Sequence, residues 1–116
     1  MGNTCKLLIH VAQKERWGVA ITNAINFLKT AKEGEDLKVR IVANADSVTI
    51  IQECNRELFD RMKQLAIDGN DIFFCENSLN AFEIERNRLP DFLKTVPAAI
   101  RALADLQADG WIYVRP

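Results

Sequence analysis

The chain has 116 residues, 48% of them hydrophobic and 27% charged, a balance close to that of ordinary globular proteins and far from disordered or collagenous chains. Fifteen Lys+Arg against sixteen Asp+Glu leave a net charge of -1, so there is no basic excess to hold a nucleic-acid backbone or an anionic membrane, and neither partner is expected. No apolar run approaches bilayer length, the few Pro and Gly exclude a low-complexity linker, and one domain over residues 1–116 is expected.

The opening residues MGNTCKLLIHVAQ hold an apolar stretch of only Leu7 to Ala12, broken by His10, so no secretory signal is expected. Gly2 with Cys5 is a faint cue to acylation, weakened by Lys6 where the acceptor pattern wants Ser or Thr. Lys6 to Val11 is a nearly continuous apolar run, the pattern of a strand covered on both faces. From Glu15 to Lys32, Trp17, Ala20, Ile21, Ala24, Ile25, Leu28 and Ala31 recur at three and four, predicting an amphipathic helix that Gly34 ends. Leu37 to Ala43, rich in β-branched residues, predicts a second strand finishing at Asn44.

Asp46 or Ser47 is placed to cap the next helix, whose apolar positions Val48, Ile51, Cys54, Leu58, Met62, Leu65 and Ala66 run to Gly69, with a break point near Asn55. Asp71 to Cys75 is a third strand, and Glu76-Asn77-Ser78 suits a helix cap ahead of Leu79 and Phe82. The charged segment Glu83 to Pro90 reads as loop or a frayed turn. A short strand around Lys94 to Val96 follows, Pro97 is expected at the first helical position of Ala98 to Ala108, Gly110 closes that helix, and Trp111 to Val114 is the last strand. Strands alternating with helices predict an α/β fold: a three-layer α/β/α domain with a five-stranded, mainly parallel sheet.

In such sheets chemistry collects beyond the carboxyl ends of the strands, which brings four groups to one rim: His10 to Gln13, Asn44 to Ser47, Cys75 to Ser78, and the Val96-Pro97 corner. Cys75 has the best position of any nucleophile, because it ends a strand and precedes a helix whose N–H groups and dipole favour a thiolate. Glu76 opposes that ionisation, so the net shift has no sign from sequence, and a small buried side chain finishing a strand is the structural alternative. Cys54, on the predicted apolar stripe, and Cys5, at the opposite rim, read as packing residues. His10, the only histidine, is a candidate acid, base or donor to an anion, while the commoner fate of a lone strand histidine is a satisfied structural role. Asn44 either turns the chain or binds with its amide. Trp17 and Trp111 fit packing better than an aromatic platform, and Arg86 and Arg88 read as solvated charges.

Three cysteines offer neither a disulfide framework nor a zinc set, so reduced cytosolic thiols and no metal are expected. The residues after strand one, AQKERWG, contain no phosphate loop or dinucleotide fingerprint, and no cofactor is expected.

Taken together, His10-Val11, the Lys-Glu-Arg-Trp17 helix start with Asn23 and Asn26, Val42-Ala-Asn44, Phe74-Cys75-Glu-Asn77-Ser-Leu79, Val96-Pro97-Ala and the closing Gly110-Trp-Ile-Tyr-Val-Arg-Pro116 resemble the DsrE/DsrF-like sulfur-relay family. The resemblance runs from about Lys6 to Pro116, and its most specific parts are the Cys-x-Asn-Ser-Leu segment and the Gly-Trp-Ile-Tyr end. It implies a five-stranded parallel α/β/α domain, assembly as homotrimers or hexamers, and a cysteine at the position of Cys75 carrying persulfide sulfur between donor and acceptor proteins. On that basis the expected function is a cytosolic sulfur carrier or sulfurtransferase-like protein with Cys75 as the reacting group and His10, Asn44, Asn77 and Ser78 as binding groups. The alternative is a non-catalytic oligomeric module that holds a small anion or metabolite at the same rim.

Overall fold

The computed structural model describes residues 3–116, so the acylation cue at Gly2 lies outside the described residues. Five strands, β1 (Asn3–Val11), β2 (Glu35–Ala43), β3 (Ile72–Cys75), β4 (Lys94–Val96) and β5 (Ile112–Val114), form one sheet in the order β4-β3-β2-β1-β5, parallel throughout. Helices α1 (Trp17–Leu28), α2 (Arg56–Ile67), α3 (Glu76–Ala81) and α4 (Ala99–Ala108) connect them. The chain steps outward from β1 to β4 and then crosses back through α4 to place β5 on the other side of β1, so the direction of winding reverses at β1.

Alternation along the strands separates two cores. Ile9, Val11, Ile41, Ala43, Ile72 and Phe74 face α1 and α2, where Trp17, Ala20, Ile21, Met62 and Leu65 complete the larger core. Leu8, Val42 and Cys75 face the other way, against Ala99 and Leu103 of α4 and against Trp111. The α/β/α layering read from the sequence is therefore present, with α1, α2 and, through Leu79, α3 packed on one core and α4 on the other. Both tryptophans pack: Trp17 stacks on Phe74 at 5.7 Å and donates its indole N–H to Ser47 O at 2.8 Å, and Trp111 lies under the Arg40 guanidinium at 4.6 Å.

Several boundaries differ from the sequence expectation for identifiable reasons. β1 and β2 each extend toward the N-terminus because their parallel ladder continues from Asn3↔Glu35, where exposed residues still pair backbones. α1 stops at Leu28, four residues short of the expected end, where the Thr30 hydroxyl donates to Phe27 O at 2.6 Å and competes with helical bonding. The stretch from Asp46 to Gly69 does break near Asn55, as expected, but its first piece is a 3-10 segment over Ala45–Gln52; α2 follows, with Asn55 as N-cap, its Oδ1 accepting Leu58 N–H at 3.1 Å. Neither Asp46 nor Ser47 caps; the Ser47 hydroxyl instead donates toward Val11 O at 2.7 Å and Asn44 O at 2.6 Å, tying the ends of β1 and β2.

This break overturns the packing role expected of Cys54, which falls between the two pieces and is exposed. Pro97 is also displaced from the first helical position: Ala98 stays extended (φ -144°, ψ 119°) and α4 begins at Ala99. The Pro97 carbonyl accepts Asn77 N–H at 3.3 Å, joining the β4–α4 corner to α3. One side chain extends the sheet. The buried Asn70, just ahead of β3, accepts Val39 N–H of β2 with its Oδ1 at 3.0 Å, before backbone pairing with β3 starts at Ile41↔Ile72.

Candidate functional site

Cys75 is the last residue of β3 and the N-cap residue of α3. In register with Val96, it points to the α4 side of the sheet, 5% exposed. Its Sγ accepts the backbone N–H of Ala99, the first residue of α4, at 3.3 Å. Burial pushes the thiol pKa up; hydrogen bonds from the Ser78 hydroxyl and from the backbone N–H groups of Ala99, Ser78 and Asn77 outweigh it and leave Cys75 below the ordinary cysteine value. The start of α4 thus donates directly to the sulfur.

The Glu76 carboxylate, which opposes ionisation in the sequence reading, is turned onto β4 and the segment that precedes it. It accepts the Thr95 hydroxyl at 2.6 Å and pairs with Arg86 at 3.3 Å. Arg86 is therefore engaged at this rim rather than only solvated.

The second group lies where β1 meets β5. His10, 7% exposed, has Nδ1 2.6 Å from Tyr113 Oη and Nε2 2.8 Å from Asn44 Oδ1. An amide oxygen only accepts, so Nε2 carries the proton and Tyr113 O–H donates to Nδ1. Burial lowers the His10 pKa, the Asn44 bond opposes that, and the Arg115 charge lowers it further; the net shift is downward and the imidazole is neutral at neutral pH.

Of the residues expected at the site, His10 meets Asn44 through side chains, and the Ser78 hydroxyl helps lower the Cys75 pKa. The two pairs are joined by backbone, because Ala45 N–H donates to Ser78 Oγ at 2.9 Å. The Asn77 N–H is donated to Pro97 O, and its side chain is exposed. Sequence reasoning missed Tyr113, Thr95 and Ala99, and placed Ala45 on the rim only as part of the Asn44 to Ser47 group. Tyr113 had a signal: it stands opposite Leu8, two residues before His10, and so shares the face of His10 once β5 is known to flank β1.

A thiol on the carboxyl rim of a parallel sheet, its sulfur accepting a helix-start N–H, defines an α/β/α protein suited to thiol chemistry. The chain belongs to the DsrE/DsrF-like family, whose model matches residues 9–116 and so takes in every rim residue described above from His10 onward. Membership ties the protein to sulfur relay at the level of the family. The structure is similar to that of MTH1491 from Methanobacterium thermoautotrophicum, a protein of unknown function, with a TM-score of 0.84 and 20% identity over 97% of this chain and 99% of that one, a likeness of fold. No functionally curated protein matches the chain.

Proposed function

We propose that the protein is a sulfur carrier in which Cys75 accepts sulfane sulfur as a persulfide and passes it to another thiol. The observation that supports this most is the Ala99 N–H donated to Sγ at 3.3 Å, which together with the neighbouring Ser78 hydroxyl and N–H groups holds the thiol below its ordinary pKa and so favours the thiolate. The thiolate attacks the outer sulfur of a donor persulfide; a new S–S bond forms at Cys75, the donor's S–S bond breaks, and the donor thiolate leaves with that bond's electron pair. Transfer onward is the same exchange in reverse, with the acceptor thiolate attacking the terminal sulfur and Cys75 leaving as thiolate. Each exchange is redox-neutral and needs no cofactor. The same donors that favour the attacking thiolate make Cys75 a good leaving group, which suits a carrier that must both load and unload.

The low exposure of Cys75 selects for a small or protruding donor sulfur. Incubation with a low-molecular-mass persulfide is expected to add one sulfur atom's mass on the peptide containing Phe74, Cys75 and Glu76, removable by reductant and absent in Cys75→Ser.

The protein is also read as a cytoplasmic homo-oligomer, a trimer or hexamer. What supports assembly is the edge strand β5, where Ile112, Tyr113 and Val114 are all exposed, together with Ile100 of α4. Light scattering in dilute buffer tests it, and a monomer at micromolar concentration would contradict it.

A further inference from the structure

At the amino ends of the strands, the rim opposite Cys75, three cations gather on one face of the sheet. Leu8 faces α4, and its register with Arg40 puts the Arg40 side chain on that face. Lys6 and Lys38, in register with each other two residues nearer the amino end, share it. The Arg40 guanidinium lies 4.6 Å from the Trp111 ring and 5.9 Å from the Phe73 ring, so aromatics on both sides of β2 and β1 hold it in place. A cleft of about 280 Å³ opens beside it, lined also by Lys6, Lys38, Asp71, Asp109 and Trp111.

Both acids of the cleft are already engaged. Lys6 answers the carboxyl end of α4, donating to Asp109 O at 2.6 Å and lying 3.6 Å from the Asp109 carboxylate, and Lys94 holds Asp71 at 3.1 Å. Lys38 has only Asp36 at 3.8 Å, with both side chains more than half exposed, a pair worth little. Arg40 makes no side-chain hydrogen bond or ion pair among the described residues, and no side-chain nitrogen there is buried without a partner, so its N–H groups are accessible where it lines the cleft. Aromatic rings offer no strong acceptor, which leaves the five guanidinium donors to be met by an oxyanion.

We propose that this cleft at the amino rim binds a small oxyanion, a phosphate or carboxylate group, with Arg40 as its bidentate anchor and Lys38 as the second cation. The guanidinium fork matches two oxygens of either group, and Lys38, two residues away on the same strand face, adds a point charge. The volume is at the small end for ligand sites, which suits a compact metabolite. The site lies at the other end of the strands from Cys75 and does not depend on the sulfur chemistry proposed there.

The test is calorimetric titration of the protein with inorganic phosphate and, separately, with acetate, at constant ionic strength so that screening does not change. Saturable binding of either in the millimolar range or tighter supports the proposal, and the tighter of the two names the group. Arg40→Gln is expected to weaken that binding roughly tenfold and Lys38→Gln roughly threefold. Arg40→Lys, which keeps the charge and loses the fork, is expected to fall between wild type and Arg40→Gln. Binding is also expected to shift tryptophan emission through the stacked Trp111, a change absent in Trp111→Phe. No saturable binding of either anion, or binding by Arg40→Gln as tight as wild type, overturns the proposal. Should Arg40→Gln not fold, Lys38→Gln at its exposed position carries the test: weaker binding supports the proposal and undiminished binding overturns it.

Discussion

The sulfur of Cys75 and the backbone nitrogen of Ala99 lie 3.3 Å apart across 24 residues of chain, so a thiol supplied by β3 has its ionisation set partly from α4. Extended Ala98 makes this possible, since it delays the start of α4 until an unpaired helical N–H can face the sulfur. The Ser78 hydroxyl acts on the same atom from α3.

Ser78→Ala is accordingly expected to raise the midpoint of Cys75 alkylation and slow the reaction at neutral pH by about threefold to tenfold. Its stability cost is expected to stay within about 1 kcal/mol, because Ala45 is exposed and its released N–H can bond water. Parallel alkylation and urea-denaturation series check both numbers; an unchanged midpoint would remove the hydroxyl from the account.

His10 makes stability depend on pH with a definite sign. Burial, opposed by the Asn44 bond and reinforced by Arg115, places its folded-state pKa below the ordinary value of about 6.5. The unfolded chain therefore binds more protons as pH falls below that value, and stability is lost from there down to the folded-state pKa. The urea midpoint is expected to fall more between pH 7 and pH 5 in wild type than in His10→Gln, which cannot titrate there. Equal slopes would contradict the buried neutral imidazole.

Asn70→Ala removes the side-chain carbonyl that accepts Val39 N–H and leaves a buried donor unpaired. The expected loss is about 1–3 kcal/mol, with Asn70→Asp, which keeps an acceptor oxygen, losing less. Urea denaturation of the two variants decides it, and equal losses would mean that the bond to Val39 is not the cause.

The strands and main helices were legible because uninterrupted apolar runs and spacings of three and four survive in the local sequence. Cys54 shows the limit. Ile51, Cys54 and Leu58 satisfy helical spacing, but the Asn55 cap starts a new helix after a 3-10 segment, and periodicity does not register that change of phase. The rim position of Cys75 was legible from its place at a strand end, whereas its donor Ala99 was not, because a backbone N–H has no residue signature. Tyr113 was hidden for another reason: only the strand order, with β5 beside β1, brings it to His10.

Cys54 is exposed while Cys75 is buried, and the two thiols differ in access. A bulky maleimide is expected to modify Cys54 before the nearly buried Cys75, since access rather than ionisation limits a large reagent. Mass mapping after brief exposure gives the order. Cys54→Ser is expected to change stability by no more than about 0.5 kcal/mol.

The most direct measurement of the central claim is intact-mass and peptide analysis of Cys54→Ser protein after incubation with a small persulfide donor and then with an acceptor thiol. The account predicts one added sulfur atom per chain at Cys75, its loss to the acceptor, and no label in the Cys75→Ser double variant. A reduced and alkylatable Cys75 that takes no sulfur from several donors would contradict it.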